Sequence, residues 1–270
     1  MSSKPTKRTV LTKLEKPVIY MSSTYGYSGR LTGKGVSIAI VDSGAPSHPD
    51  LKKPEDVADF SEDMSGVQDQ QGHATSIAGI IGGKQAASVR GVAPDASLCH
   101  AKAMDAKGEC SFNSLVGSIL WATVKQVDII LVALGTTAEY NLLHDAVIKA
   151  YKSGICLVAA AGNHMKKATD EPDFPARYDE VLSVCSLPEG RKRHRKDIIN
   201  NRIQLAVPSQ PCYSTYLEGM YTTVSGSSVA SAYVAGLMAL EIEKRRLEKR
   251  STKPNDVYTS LVSTNIKSIK

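Results

Sequence analysis

No apolar run in this 270-residue chain comes near the ~18 residues that a helix needs to cross a bilayer. A membrane-spanning helix is therefore not expected. Residues 1–16 are polar and basic and lack the hydrophobic middle section of a secretory signal. Unless the natural start lies upstream of this sequence, the protein is expected to be made and used inside a cell. Cysteine is sparse and odd in number, so the five cannot all pair with one another. Cys99, Cys156 and Cys185 lie in strand-like apolar runs, where a free thiol behaves as a small hydrophobe. Cys110 and Cys212 fall in loops. This usage suits a reducing compartment.

Two common motifs are incomplete. Gly82-Gly83-Lys84 lacks the earlier glycine of a phosphate-cradling loop, with Ala78 in that place, and lacks the hydroxyl residue that should follow the lysine. Gly226-Ser227-Ser228-Val229-Ala230 lacks the closing glycine of a strand–turn–helix nucleophile elbow, and no histidine follows Ser228. No internal repeat or second domain is visible. The formal charge of +6 is largely local, in the basic run Arg191-Lys192-Arg193-His194-Arg195-Lys196. With no interleaved aromatics and no nucleic-acid fold, a solvated loop is the favoured reading of that run. Nucleic-acid binding, a localisation signal and a site for trypsin-like clipping are the alternatives.

What is present is a core. At 42% hydrophobic content the chain can bury one large interior undivided. Apolar runs predict strands at 36–41, 97–103, 128–134, 155–161, 181–186 and 203–207, and helices at 73–82, 112–126, 141–153, 228–247 and 255–263. Strands that read as continuous Val/Ile/Leu/Ala runs imply burial on both faces. The expected class is α/β, a doubly wound, mostly parallel sheet flanked by helices.

Four polar residues stand at the boundaries of these elements. Ser228 follows Gly226-Ser227 at the head of a long apolar helix, where unpaired N–H groups and the positive helix end favour developing negative charge. A hydroxyl is a poor nucleophile at neutral pH, and needs a base, a group to orient the base, and donors for the oxyanion. His73, after Gly72 at another helix start, is the candidate base. Asp42 ends the strand Val36–Val41 before Ser43-Gly44 and is the candidate orienting acid. Asn163 ends the run Ile155–Ala161 after Gly162 and offers a side-chain amide.

These blocks resemble those of the subtilisin-type serine proteases of the subtilase family, from about Gly35 to about Asn265. Asp42-Ser43-Gly44 with His48-Pro49-Asp50-Leu51 resembles the aspartate block, and Gly72-His73 the histidine block. Ala160-Ala161-Gly162-Asn163 resembles the oxyanion block, and Gly226-Ser227-Ser228-Val229-Ala230-Ser231 the serine block. Gly91-Val92-Ala93-Pro94 fits a further family segment. The resemblance implies an N-terminal extension over 1–34 and a peptidase domain over 35–270. It implies a serine endopeptidase with Asp42, His73 and Ser228 as catalytic residues and Asn163 at the oxyanion. The partner is then a peptide or protein substrate.

By position, the family's cleft walls would be Gly108-Glu109-Cys110 and Ala133-Leu134-Gly135. Ala161, Gly162 and the segment after Asn163 would enclose the primary specificity pocket. Matching Phe174-Pro175 to the family's aromatic–proline pair brings Asp173 close to the pocket floor. A buried acid there would need a cationic partner, so Arg or Lys before the cut is the expected preference. The alternative is an exposed acidic loop. Departures from the pattern include Ala74, whose methyl could crowd His73, and Ser76, which replaces a second histidine and is expected to lose its polar contact. They keep open a non-catalytic peptide-binding protein built on the same cleft. The family's usual calcium loop here spans residues 83–89, with a lysine and no carboxylate. Hard cations want several oxygens, so no calcium or other cofactor is expected at it.

Overall fold

The strand that ends in Asp42 is central to the architecture. Strand β2 (Ser37–Asp42) alternates its side chains between two separate apolar layers. Ile38 and Ile40 enter one layer, Ala39 and Val41 the other, as the period-two geometry of a strand requires. The computed structural model describes residues 9–10, 30–63, 65–84, 88–163, 171–188, 205–209 and 211–264. Within them, β2 joins β1 (Thr9–Val10), β3 (Asp56–Asp59), β4 (Ser97–Lys102), β5 (Ile129–Val132), β6 (Cys156–Ala160), β7 (Val181–Pro188) and β8 (Leu205–Ser209) in one sheet. Its order is β1-β8-β7-β6-β5-β2-β4-β3, and every pairing is parallel.

Helices cover both faces. Helix α1 (His73–Gly82), α4 (Ser227–Leu247) and α5 (Pro254–Thr264) pack on the layer containing Ile38, Ile40, Leu131 and Val158. Helices α2 (Phe112–Val124) and α3 (Asn141–Lys152) cover the layer containing Val41, Ile130 and Val132. This is the doubly wound α/β class expected. A separate antiparallel hairpin, β9 (Cys212–Thr215) and β10 (Tyr221–Val224), packs against α1.

Three differences from the sequence expectation have physical causes. Helix α2 stops at Val124 because Gln126 adopts a positive φ of 54°, which ends the helical path. Strand β3 reads Asp-Val-Ala-Asp and is half-buried, so it has no apolar run to announce it. The β9/β10 hairpin is mostly hydroxyl and aromatic residues and gave no sequence signal either. The basic run 191–196 and residues 164–170 of the segment after Asn163 lie outside the described residues.

The topology sets the position of chemistry. From β2 the sheet continues through β4 and β3 on one side and through β5, β6, β7 and β8 on the other. Crevices of open α/β sheets form outside the carboxyl ends of strands where the order reverses. Asp42 is the last residue of β2, beside that point.

Candidate active site

Asp42 is fully buried. Its Oδ1 accepts the Ser43 N–H at 2.6 Å. The remaining interaction is with His73, whose Nδ1 lies 2.7 Å from Oδ1 and 2.9 Å from Oδ2. A carboxylate only accepts, so Nδ1 carries the hydrogen and Nε2 is left with a lone pair. The charge of Asp42 raises the pKa of His73 above its ordinary value, outweighing burial, which acts to lower it. The imidazole side chain remains 37% exposed, so the pair is open to solvent on the histidine side.

The turn that delivers His73 is built around glycine. Gly72 has a φ of 82°, and a Cβ there would stand 2.1 Å from the Tyr216 ring. Around this turn Asp69 is buried and accepts five hydrogen bonds: from Ser43 Oγ, from the backbone N–H of Gln71, Gly72 and Thr75, and from Thr75 Oγ1. Burial pushes its carboxyl up, but the donors outweigh burial and the net shift is downward. Sequence reasoning missed both Asp69 and Ser43. An acid four residues ahead of a helix-opening histidine was the available signal.

The serine side comes from different elements. Gly226 has a φ of 117°, and a Cβ there would meet the Asn163 amide at 3.2 Å. Asn163 Oδ1 accepts the Ser227 N–H at 2.9 Å, which leaves its NH₂ to point elsewhere. Ser228, second residue of α4, donates its hydroxyl to the Ala133 carbonyl at 3.0 Å. No hydrogen bond joins Ser228 to His73 in this arrangement, whereas Asn163, the Gly226–Ser228 turn and Ala133 are brought together. One χ1 change redirects a serine hydroxyl between staggered wells.

The proposed pocket residues also converge. Asp173 is buried, its N–H donates to the Ala161 carbonyl at 3.1 Å, and a Cβ on Gly135 would lie 2.7 Å from its own Cβ. Thr136 and Phe174 exchange backbone hydrogen bonds of 2.9 and 2.8 Å, ahead of a cis Phe174–Pro175 bond. Asp173, Gly135 and Ala161 therefore lie side by side, and Asp173 is not on an exposed loop; Leu134 precedes Gly135 and Gly162 follows Ala161 in sequence. The Gly108-Glu109-Cys110 segment, expected as a cleft wall, is a turn closed on Asp105, whose carbonyl accepts the Gln71 side-chain amide at 2.6 Å. That bond ties the turn to the residues leading into His73. Burial pushes the Cys110 thiol up to about 12, which keeps it protonated and unreactive.

Two sequence expectations need correction. Ser76 does not lose its polar contact: its hydroxyl reaches the carbonyls of Gly72 and Thr215, both at 2.9 Å, and so stitches α1 to the β9/β10 hairpin. Ala74 is fully buried and its N–H donates to Ser43 Oγ at 3.0 Å, so its methyl sits inside the turn without displacing the His73–Asp42 contact. His100, on β4, is buried with neither ring nitrogen partnered, and burial lowers its pKa to about 4.

Asp50 Oδ2 accepts the N–H groups of Ser88 and Val89 at 2.8 and 2.9 Å and the Tyr221 hydroxyl at 2.9 Å. The backbones of Lys84 and Arg90 pair as an isolated antiparallel β-bridge, and residues 85–87 between them lie outside the described residues. In this arrangement Asp50 Oδ2 is engaged by three donors from the loop and from Tyr221. Among the described residues, no group of three or more His, Cys, Asp or Glu side chains could hold a metal ion.

A sequence model of the subtilase family matches residues 33–267. Subtilisin DY of Bacillus licheniformis is 36% identical over 215 residues, covering 78% of this chain and 78% of that protein. An intracellular serine protease of Paenibacillus polymyxa is 34% identical over 245 residues, covering 87% of this chain and 75% of its own length. The minor extracellular protease Epr of Bacillus subtilis is 37% identical over 212 residues; the match covers 78% of this chain but only 32% of that longer protein.

Proposed function

This chain belongs to the subtilase family, and on that premise we propose that it is a serine endopeptidase that hydrolyses peptide bonds through Asp42, His73 and Ser228. The observation that carries the reading is the buried Asp42–His73 contact at 2.7 Å. It leaves His73 Nε2 as the free base on the cleft side.

In the mechanism, Ser228 Oγ leaves the Ala133 carbonyl, gives its proton to Nε2 and attacks the scissile carbonyl. Asp42 holds the imidazole in the required tautomer and stabilises its cation. The Asn163 NH₂ and the Ser228 N–H stabilise the oxyanion, and His73 returns the proton to the departing amine. Water then releases the acyl-enzyme by the same steps. We also propose a preference for Arg or Lys before the cut, supported by the position of the Asp173 acid, buried beside Gly135 and Ala161. Profiling a peptide library tests both claims. Cleavage after Phe, Leu or Tyr with no gain for Arg or Lys would end the specificity proposal.

A second reading, a non-catalytic peptide binder, is favoured by one observation: the Ser228 hydroxyl is bonded to Ala133 and not to His73. Labelling by a fluorophosphonate probe separates the two, since only an activated Ser228 reacts. The Asp50 donor set supports a loop that works without calcium. Five free cysteines and a relative named as intracellular support an intracellular site of action, to be checked by cell fractionation.

A further inference from the structure

His73 is the first residue of α1. The positive end of a helix disfavours an imidazolium, so this position alone would make His73 a weaker base. The protein nevertheless needs that base to take a proton and hold it. No acid lies in the first turn of α1 and Gly72 has no side chain to cap it. The capping role falls to Asp69, outside the helix, which accepts the N–H groups of Gln71 at 3.0 Å, Gly72 at 3.0 Å and Thr75 at 2.8 Å.

Asp69 also reaches across to β2. Ser43 Oγ donates to Asp69 Oδ1 at 2.9 Å and accepts the Ala74 N–H at 3.0 Å, while Ser43 N–H donates to Asp42 Oδ1 at 2.6 Å. A continuous chain of hydrogen bonds therefore connects the carboxylate of Asp42, the turn after β2, Asp69 and the helix that carries His73. Thr75 Oγ1 adds a further bond at 2.6 Å. Each of the two elements bearing the Asp42–His73 pair is thus held by the same buried carboxylate.

We propose that Asp69 is a positioning residue for the reaction: it fixes the turn after β2 against the N-terminus of α1, and its charge cancels the helix end that would otherwise weaken His73 as a base. This rests on the protease reading above. The charged groups facing His73 are Asp42 and Asp69, and both act to raise its pKa, Asp42 more strongly. His100 feels both carboxylates but is neutral above pH about 4, so it does not compete in the working range.

The test is Asp69→Asn, which keeps the shape and removes the charge. The C2–H resonance of His73 is identified by its loss in His73→Ala and followed by NMR across pH in wild type and Asp69→Asn. The expected result is a lower titration midpoint for His73 in the variant, with kcat falling about 10–100-fold, KM unchanged and the acid limb of the kcat profile moved to lower pH. A folded variant whose His73 midpoint and kcat match wild type overturns the proposal. Absence of any hydrolysis by wild type would sink the protease reading, and the titration would still decide the role of Asp69. If Asp69→Asn does not fold, Ser43→Ala breaks the chain of bonds while keeping the charge. It should lower kcat with the His73 midpoint retained, and unchanged turnover there would overturn the proposal.

Discussion

The two halves of the proposed active site are held differently. The base half, from β2 and the turn into α1, is closed: Asp42 is buried, His73 is fixed on it, and Asp69 ties both elements with five accepted hydrogen bonds. The serine half rests on single contacts, Asn163 to Ser227 and Ser228 to Ala133, between segments far apart in sequence. The contrast follows from what each half must do. An imidazole serves as a base only in one tautomer and one orientation, so its surroundings are built before substrate arrives. A serine hydroxyl must turn from its resting acceptor toward the base, which a heavily bonded hydroxyl could not do.

The sharpest way to break this contrast is to delete one member of each half. Ser228→Ala should lower turnover by about 10⁶-fold, the scale seen for loss of this residue type in subtilisin itself, measured on a chromogenic peptide. Asp42→Asn leaves the shape of the base half but lets the imidazole take the wrong tautomer. It should cost about 10⁴-fold, with KM little changed in steady-state kinetics. Asn163→Ala should cost about 10²–10³-fold in turnover, the range known for the corresponding donor in subtilisin. A loss of under tenfold would mean that the Asn163 amide does not face the oxyanion.

A pH series sharpens the comparison further, because activity and stability should respond in opposite senses. The folded-state pKa of His73 is raised above its unfolded value of 6.5, chiefly by the charge of Asp42. The stabilising His73⁺–Asp42⁻ contact is therefore complete below the unfolded value and is lost as pH rises through the raised folded value. Catalysis needs neutral His73, so kcat rises over that same interval. Denaturant midpoints and kcat taken on one set of samples would reveal this crossing, and parallel trends would contradict it. The smallest expected effect is that of EDTA, which should leave the melting temperature unchanged if Asp50 holds its loop by hydrogen bonds. A substantial drop would show a metal at work.

Much of this was legible in the chain because it depends on local pattern. Continuous apolar runs at β2, β5 and β6 announced a buried parallel sheet, and Asp42, His73, Asn163 and Ser228 each sit at the end of such a run or the start of a helix. The signals were poor where burial is supplied by neighbours. Strand β3 is flanked by aspartates, and the β9/β10 hairpin is held at the His73 turn by the Thr215 carbonyl, which accepts the Ser76 hydroxyl, and by the Tyr216 hydroxyl in its connecting loop, which donates to the Gln71 carbonyl. Ser76 was misjudged for the same reason, since its acceptor, the Thr215 carbonyl, is 139 residues away.

Residue order and side-chain chemistry determined by themselves which groups could act: periodic burial sets the strands, and glycines mark the turns where polar residues can emerge. Tertiary structure alone decided how those groups are held. It placed Asp69 between two elements that share no local signal, buried Asp173 beside Gly135, and turned the Ser228 hydroxyl to Ala133. Hydrogen bonds between distant segments depend on distances that only the packed sheet and its helices fix, and no local stretch of sequence carries them.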